Sequence, residues 1–338
     1  MAARQSDMVP ASRRLPWEGS FWLAGVCCQV ATNCPELLGM FSSSLPSSDD
    51  AGLAGSGYFR LRCWVDESLT GAAPWPKPYF RGLKHLVFAS FGLDNALLLD
   101  LRSLHAVARI SAAMARDRTY WQRVLLPVLL TVLGGQAGVV GVHAACVVRD
   151  GRALLLAGGS GAGKSTLALA LAQRDFQFVA DDRTYVTEQG EVAVAWPLPG
   201  CAKLRPEAAR FFPALAGRPL EMGADQEFSL FVPLPAPAVP EAGCSRGIPI
   251  ARVLVLQRQA GHAAQCSPIS SQEILGRWDA ELMAAEPSVL AGQRRTLARV
   301  CEAADCRRLS YAAEPHEVAR YLDLFCQRGS ECREEVLK

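Results

Sequence analysis

The chain lacks several patterns that would place it in a class of protein at once. It has no long run of like charges and no internal repeat, and its 35 lysines and arginines nearly balance 33 aspartates and glutamates. Nucleic-acid-binding domains are usually strongly basic, so a net charge of +2 argues against a nucleic-acid partner. Half of the 338 residues are hydrophobic. This composition allows a substantial core and argues against global disorder.

The chain also lacks a C-x-x-C pair, although it contains 12 cysteines. The spacings of Cys301 with Cys306 and of Cys326 with Cys332 do not fit a zinc ribbon. We interpret the cysteines as reduced thiols that act as small hydrophobic residues, which is typical of a cytoplasmic protein. The alternative is a metal or redox site built from cysteine.

No apolar stretch of the sequence fits a membrane-spanning helix well. Phe21–Thr32 is too short to cross a bilayer. Val124–Val148 has no formally charged residue, but it contains Pro127 and His143 and leads directly into the next apolar segment. We expect a buried helix, a turn and a buried strand there, and no membrane partner.

The first part of the chain predicts a small strand-rich α+β region. We expect strands at Phe21–Val30 and Tyr58–Val65, the second with one buried face, and a helix at Leu104–Arg116. No catalytic group of residues is visible there, so docking of a substrate is the default role. We expect this domain to span residues 1–120, followed by a second domain over residues 121–330.

One segment has a specific chemical meaning. Residues 152–166 are RALLLAGGSGAGKST, which contains the pattern G-x-x-x-x-G-K-[ST]. Ala153–Ala157 predicts a buried strand, and the Leu/Ala residues after Thr166 predict a helix. Between them, the glycine-rich loop is expected to bind ATP phosphates through Gly158, Gly159, Ser160, Gly161, Ala162, Gly163, Lys164, Ser165 and Thr166. Lys164 can reach the β- and γ-phosphates, and the Ser165 hydroxyl can bind Mg²⁺. The alternative is a structural glycine-rich turn.

A histidine lies on the strand that precedes this loop. Asp150-Gly151 between two apolar runs predicts a type I′ hairpin, which pairs Val148 with Ala153 and Cys146 with Leu155. Continuing this register places His143 opposite Gly158, at the mouth of the loop. The alternative is a histidine that is simply part of the core.

Two adjacent carboxylates follow the next predicted strand, Phe176–Ala180. A right-handed crossover makes this strand parallel to the loop strand, so Asp181 and Asp182 should lie near the γ-phosphate. One of them can then serve the metal and the other can accept a proton. The alternative is a solvated turn. Further along, Lys203, Arg205 and Arg246 are candidate phosphate clamps or ordinary surface cations.

Three motifs together resemble the catalytic domain of HPr kinase/phosphorylase and the wider group of HPr-kinase-like serine kinases. They are Val142-His143-Ala144-Ala145, the glycine-rich loop, and Val179-Ala180-Asp181-Asp182-Arg183. The resemblance covers residues 125–325 and is most specific over 141–187. It implies an α/β, P-loop catalytic domain of the phosphoenolpyruvate-carboxykinase-like type.

The resemblance also implies roles for individual residues. Asp181 would be the base that deprotonates the acceptor hydroxyl, with His143 beside it, orienting that acid and the transferred phosphoryl group. Ser165 and Asp182 would serve the metal. Independently of the resemblance, Lys164 and the loop amides can stabilise charge on the phosphoryl oxygens. The Arg- and Gly-rich segment with which true HPr enzymes hold their protein substrate has no clear counterpart, which leaves the acceptor open.

We therefore expect an ATP- and Mg²⁺-dependent kinase that phosphorylates a serine-type hydroxyl of a protein or peptide. One alternative is a nucleotide-binding regulatory or partner-binding protein without phosphoryl transfer. A transport-type ATPase is disfavoured, because the sequence has neither an L-S-G-G-Q-like signature nor a downstream strand that ends in Asp-Glu. A homo-oligomer is compatible with the sequence.

Overall fold

The computed structural model describes residues 14–45, 57–198, 200–223, 225, 227–234, 247–261, 263–282 and 286–334. The chain divides into two compact units between Ala137 and Gly138. The helical segment before this point therefore belongs to the first unit. Separate docking and catalytic roles for residues 1–120 and 121–330 stay a prediction.

The first unit is built on one sheet. Its strands are β1 (Trp17–Leu23), β2 (Val26–Thr32), β3 (Tyr58–Asp66), β4 (Tyr79–Leu83), β5 (Leu86–Ser90), β6 (Ala96–Asp100) and β7 (His105–Ser111). Over the described residues they lie in the order β1-β2-β3-β7-β6-β5-β4. The helical segments are α1 (Pro35–Ser44), α2 (Ala112–Arg116), α3 (Arg118–Tyr120), a π-helical turn (Trp121–Leu125), α4 (Leu126–Val132) and a 3₁₀ turn (Gly134–Ala137).

Two of the elements predicted for this unit differ in the structure. The half-buried strand at Tyr58–Val65 is confirmed, with residues alternating between exposed and buried. The predicted helix Leu104–Arg116 is wrong over His105–Ser111, where β7 buries every second residue, a period that a helix cannot supply. It is confirmed over Ala112–Arg116, which form α2. The single strand Phe21–Val30 is also wrong. A turn at Ala24-Gly25, with φ angles of 51° and 79°, divides it into the hairpin β1–β2.

The second unit contains the glycine-rich loop. Its strands are β8 (Val140–Val142), β9 (Ala144–Arg149), β10 (Arg152–Ala157), β11 (Gln177–Ala180), β12 (Thr184–Gln189), β13 (Val192–Trp196), β14 (Cys201–Leu204), β15 (Glu221–Met222), β16 (Phe228–Pro233), β17 (Ile248–Arg258), β18 (Gln265–Pro268) and β19 (Asp305–Tyr311). Its helices are α5 (Lys164–Ala172), α6 (Ser271–Asp279), α7 (Pro287–Ala303) and α8 (Pro315–Glu334), with 3₁₀ turns at Pro206–Phe211 and Pro213–Leu215.

The order of the strands in the main sheet determines what lies on each side of the loop. From one edge to the other, β11, β9, β10, β17, β19 and β18 are neighbours, and β13, β12 and β8 continue from the start of β17. β10, β17 and β19 are parallel to one another. β9 is antiparallel to both β10 and β11, so β11 runs in the same direction as β10. The expected parallel arrangement is confirmed, with β9 between the two strands.

Helices cover both faces of this sheet. On one face, α5 and α8 pack against the strands through buried residues that include Leu167, Leu171 and Leu322. On the other face, α6 and α7 contribute residues such as Trp278 and Leu297. The continuous apolar run of β10 is therefore buried on both sides, as the sequence predicts for a strand between two helical layers. The α/β class is confirmed.

The hairpin before the loop has the predicted register. Asp150 and Gly151 have φ angles of 49° and 68°, as a type I′ turn requires. Val148 pairs with Ala153, and Cys146 with Leu155. This register carries the chain before β9 to the start of the glycine-rich loop.

In the described part of the chain, no helix is both long and apolar enough to cross a bilayer.

Candidate functional site

The glycine-rich loop follows β10 and ends where α5 begins. Three of its glycines have positive φ angles: 153° at Gly158, 77° at Gly161 and 93° at Gly163. A side chain at Gly158 would meet the backbone of β17, because an added Cβ would lie 3.2 Å from the Leu256 carbonyl oxygen. Glycine is therefore required at these positions by backbone conformation and, at Gly158, by space.

Lys164 is the first residue of α5, and its side chain is buried. Its Nζ donates hydrogen bonds to the Gly158 and Gly159 carbonyl oxygens, at 2.9 and 3.3 Å. Burial lowers the pKa of Lys164, whereas the charges of Asp182 and Asp181 act in the opposite direction. The ammonium group is thus held at the loop, close to both carboxylates.

Asp181 comes directly after β11, at the end of the sheet where the carboxyl ends of β10 and β11 lie. Its Oδ2 accepts a hydrogen bond from the Lys203 backbone N–H at 2.8 Å. Its Oδ1 is buried and has no hydrogen-bond partner. Burial raises the pKa of Asp181 to about 6, and the nearby Ser165 hydroxyl and the Lys203 amide oppose this rise. A buried carboxylate oxygen without a partner is costly, and such groups concentrate at functional sites.

Asp182 has a different environment from its neighbour. Its side chain is 77% exposed, and its φ angle of 61° is uncommon for a residue other than glycine. The Oδ1 atom lies 3.0 Å from His143 Nε2. The hydrogen bond from His143 lowers the pKa of Asp182, and the same contact raises the pKa of His143.

His143 lies in the break between β8 and β9, at the mouth of the loop, as its register predicted. Its Nδ1 is 3.4 Å from Glu281 Oε1, so the imidazole lies between two carboxylates. The family resemblance implied that His143 orients Asp181. Among the described ion pairs and hydrogen bonds, however, its contacts are with Asp182 and Glu281. The histidine therefore holds the second aspartate.

The structure gives no support to Lys203, Arg205 or Arg246 as phosphate clamps. The Lys203 ammonium forms ion pairs with Asp225 and Glu227, so its charge is already compensated. Its contribution to the site is instead its backbone amide, which holds Asp181. Arg205 is exposed, and Arg246 lies outside the described residues.

Sequence reasoning missed three side chains of this site. Glu281 follows α6, and no local pattern places it beside His143. Arg258 and Tyr311 are the last residues of β17 and β19, two strands that end at the same edge as β10. That position was the available signal, since ligands bind at the carboxyl ends of parallel strands.

The residues at the mouth of the glycine-rich loop are suitable for binding a magnesium ion. In the described part of the chain, no group of three or more His, Cys, Asp or Glu side chains could hold a metal by itself. Mg²⁺ does not require such a group, because it usually keeps several waters and binds one or two carboxylates together with substrate phosphates. Ser165 and the unpartnered oxygen of Asp181 are suitable oxygen ligands.

Comparisons with known proteins give little beyond this geometry. No family model and no curated protein matches the chain. Among solved structures, the HPr(Ser) kinase/phosphatase from Coxiella burnetii is similar over 57% of this chain and 98% of its own, with 13% sequence identity and a TM-score of 0.29. This is a distant structural similarity to an enzyme of that kind. Membership of the family stays a prediction.

Proposed function

We propose that the second unit is an ATP-dependent kinase that transfers the γ-phosphoryl group to a serine-type hydroxyl of a protein or peptide. The observation that carries this proposal is the buried, unpartnered Oδ1 of Asp181 at the sheet edge that also carries the glycine-rich loop. Next to a loop suited to phosphates, this carboxylate oxygen supports phosphoryl transfer.

The loop and its lysine supply the groups that bind the donor. Backbone N–H groups of the loop and the N-terminus of α5 favour anionic oxygens. Lys164 now donates to two loop carbonyls, and its ammonium can exchange these contacts for phosphate oxygens over a short distance. Mg²⁺, held by Ser165 and a carboxylate, would neutralise charge on the β- and γ-phosphates. This arrangement supports ATP as the donor.

The carboxylates supply the proton acceptor. In the proposed reaction, the acceptor O–H gives its proton to a carboxylate while its oxygen bonds to the γ-phosphorus. The bond from that phosphorus to the β–γ bridging oxygen breaks, and ADP leaves. We propose Asp181 as the base and Asp182 with Ser165 at the metal. The raised pKa of Asp181 supports this assignment, because a base titrating near neutral pH is more effective.

One observation favours the reverse division of labour. The Ser165 hydroxyl lies near Asp181, whereas Asp182 is exposed to an incoming acceptor and is held by His143. The variants Asp181→Asn and Asp182→Asn distinguish the two assignments when the Mg²⁺ dependence of ATP binding is measured for each. The variant that raises the Mg²⁺ requirement identifies the metal ligand. The variant that binds Mg·ATP normally but loses transfer identifies the base.

The proposed function is tested by incubation with γ-labelled ATP, Mg²⁺ and peptides from the native host, followed by mass spectrometry. We expect a serine-type phosphorylation whose rate Lys164→Ala lowers by about 100-fold or more. Tight ATP binding by the wild-type protein with no phosphorylated product would instead support a nucleotide-binding regulatory protein. Arg152→Ala, at the exposed opposite end of β10, is a matched control that should retain activity.

A further inference from the structure

The two sides of the glycine-rich loop carry different chemistry. On one side, β9 and β11 lead to Asp181 and Asp182. On the other side, β17 pairs directly with β10, and β19 pairs with β17. These two strands end at Arg258 and Tyr311, which are direct register partners. The loop therefore lies between a pair of carboxylates and an arginine–tyrosine pair.

Both residues of this pair approach the loop closely. Tyr311 Oη donates a hydrogen bond of 2.5 Å to the Ala162 carbonyl oxygen. A Cβ added to Gly163 would lie 2.9 Å from Tyr311 Oη and 3.8 Å from Nε and Nη2 of Arg258. The guanidinium carbon of Arg258 is 5.6 Å from the centre of the Tyr311 ring. The guanidinium group thus lies beside the first turn of α5, with the tyrosine ring at one of its sides.

Arg258 differs from the other arginines on these strands. Arg252 and Arg307 form ion pairs with Asp305, and Arg308 pairs with Glu273. Within the described residues, no carboxylate pairs with Arg258, and its side chain is exposed. An arginine held against a tyrosine without a carboxylate partner offers both its charge and its flat surface to a ligand.

The direction of a bound nucleotide follows from these positions. Under the proposed function, the γ-phosphoryl group faces Asp181 and Asp182. The polyphosphate then follows the loop, so the nucleoside must leave on the opposite side, towards the ends of β17 and β19. We propose that Arg258, held against the buried ring of Tyr311, forms the nucleoside subsite, in which the base of the nucleotide stacks on the Arg258 guanidinium. This inference rests on the proposed function for the orientation of the nucleotide.

The subsite predicts a difference between two ligands that share the polyphosphate. Calorimetric titration of the full chain with Mg²⁺ and either ADP or inorganic tripolyphosphate measures that difference. Arg258→Ala should weaken ADP binding about 10-fold or more, in the range of base stacking, and should leave tripolyphosphate binding unchanged. Arg152→Ala should change neither affinity. Arg258→Lys keeps the charge but not the flat surface, so it should resemble Arg258→Ala.

Three results would overturn the nucleoside subsite: equal losses of ADP and tripolyphosphate affinity in Arg258→Ala, no loss of either, or full recovery of ADP affinity in Arg258→Lys. None of them affects the kinase proposal, because the wild-type protein would still bind the polyphosphate at the loop. Conversely, if the subsite behaves as expected but no acceptor is ever phosphorylated, the subsite stands and phosphoryl transfer fails.

Discussion

Replacing Asp181 by asparagine should make the second unit more stable while it abolishes phosphoryl transfer. Burial raises the pKa of Asp181 from 3.8 to about 6, so the folded protein binds this proton more tightly than the unfolded chain does. The stabilising effect of that proton is fully present below pH 3.8 and is lost as the pH rises through 6. Above that range, the ionised carboxylate costs about 3 kcal/mol at most, from about 1.4 kcal/mol per pH unit.

Asparagine keeps an oxygen that can accept the hydrogen bond from the Lys203 amide, but it carries no charge. The free energy of unfolding of Asp181→Asn should therefore exceed that of the wild-type protein by up to about 3 kcal/mol at pH 8, and by only about 1 kcal/mol at pH 4.5. Urea unfolding at both pH values measures this difference. The transition that Mg·ATP shifts in the wild-type protein identifies the unfolding of the second unit.

A variant that is less stable than the wild-type protein at pH 8 would contradict this reasoning. A stability difference that does not change with pH would also contradict it, because the carboxylate would then not be held in a costly environment. A variant that is more stable but has no transfer activity would show that the Asp181 carboxylate lowers stability and is required for function.

Three further predictions concern the loop and the pH dependence. Lys164→Ala should lower kcat/KM for ATP by about 100-fold or more, measured from initial rates, because a cation that stabilises transferred charge is lost. Gly163→Ala should lower the melting temperature and weaken ATP binding, because φ at this position is 93° and the new Cβ would lie 2.9 Å from the Tyr311 hydroxyl. Gly159→Ala is the control: its Cβ would meet nothing within 4 Å, so the melting temperature should not change. The kcat/KM for the acceptor should fall as the pH drops through about 6, because the proposed base Asp181 must be ionised to accept a proton; a flat profile from pH 5 to 8 would remove Asp181 from that role.

The parts of the site that local chemistry determines could be predicted from the sequence. A type I′ turn at Asp150-Gly151 fixes the register of β9 against β10, and that register placed His143 at the loop. The apolar run of β10 and the Leu/Ala residues of α5 have the lengths and spacings typical of a buried strand and a helix. In each case, the residues that determine the feature are neighbours in the chain.

The remaining contacts depend on how distant segments pack, and no local pattern encodes them. Glu281 reaches His143 because α6 covers one face of the sheet, and the Lys203 amide reaches Asp181 through a separate loop. The helix wrongly predicted over His105–Ser111 has a related cause. Its alanines favour a helix locally, but the neighbouring strands on both sides of β7 determine its conformation.

The central claim is that the carboxylate pair and the glycine-rich loop act on one nucleotide. The most direct measurement is a crystal structure of the protein with Mg²⁺ and a non-hydrolysable ATP analogue. We predict the β- and γ-phosphates within the loop and a γ-phosphorus about 6 Å from a carboxylate oxygen of Asp181 or Asp182, which leaves room for an acceptor oxygen between them. Phosphates bound elsewhere, or a γ-phosphorus directed towards Arg258 and away from both aspartates, would contradict the account.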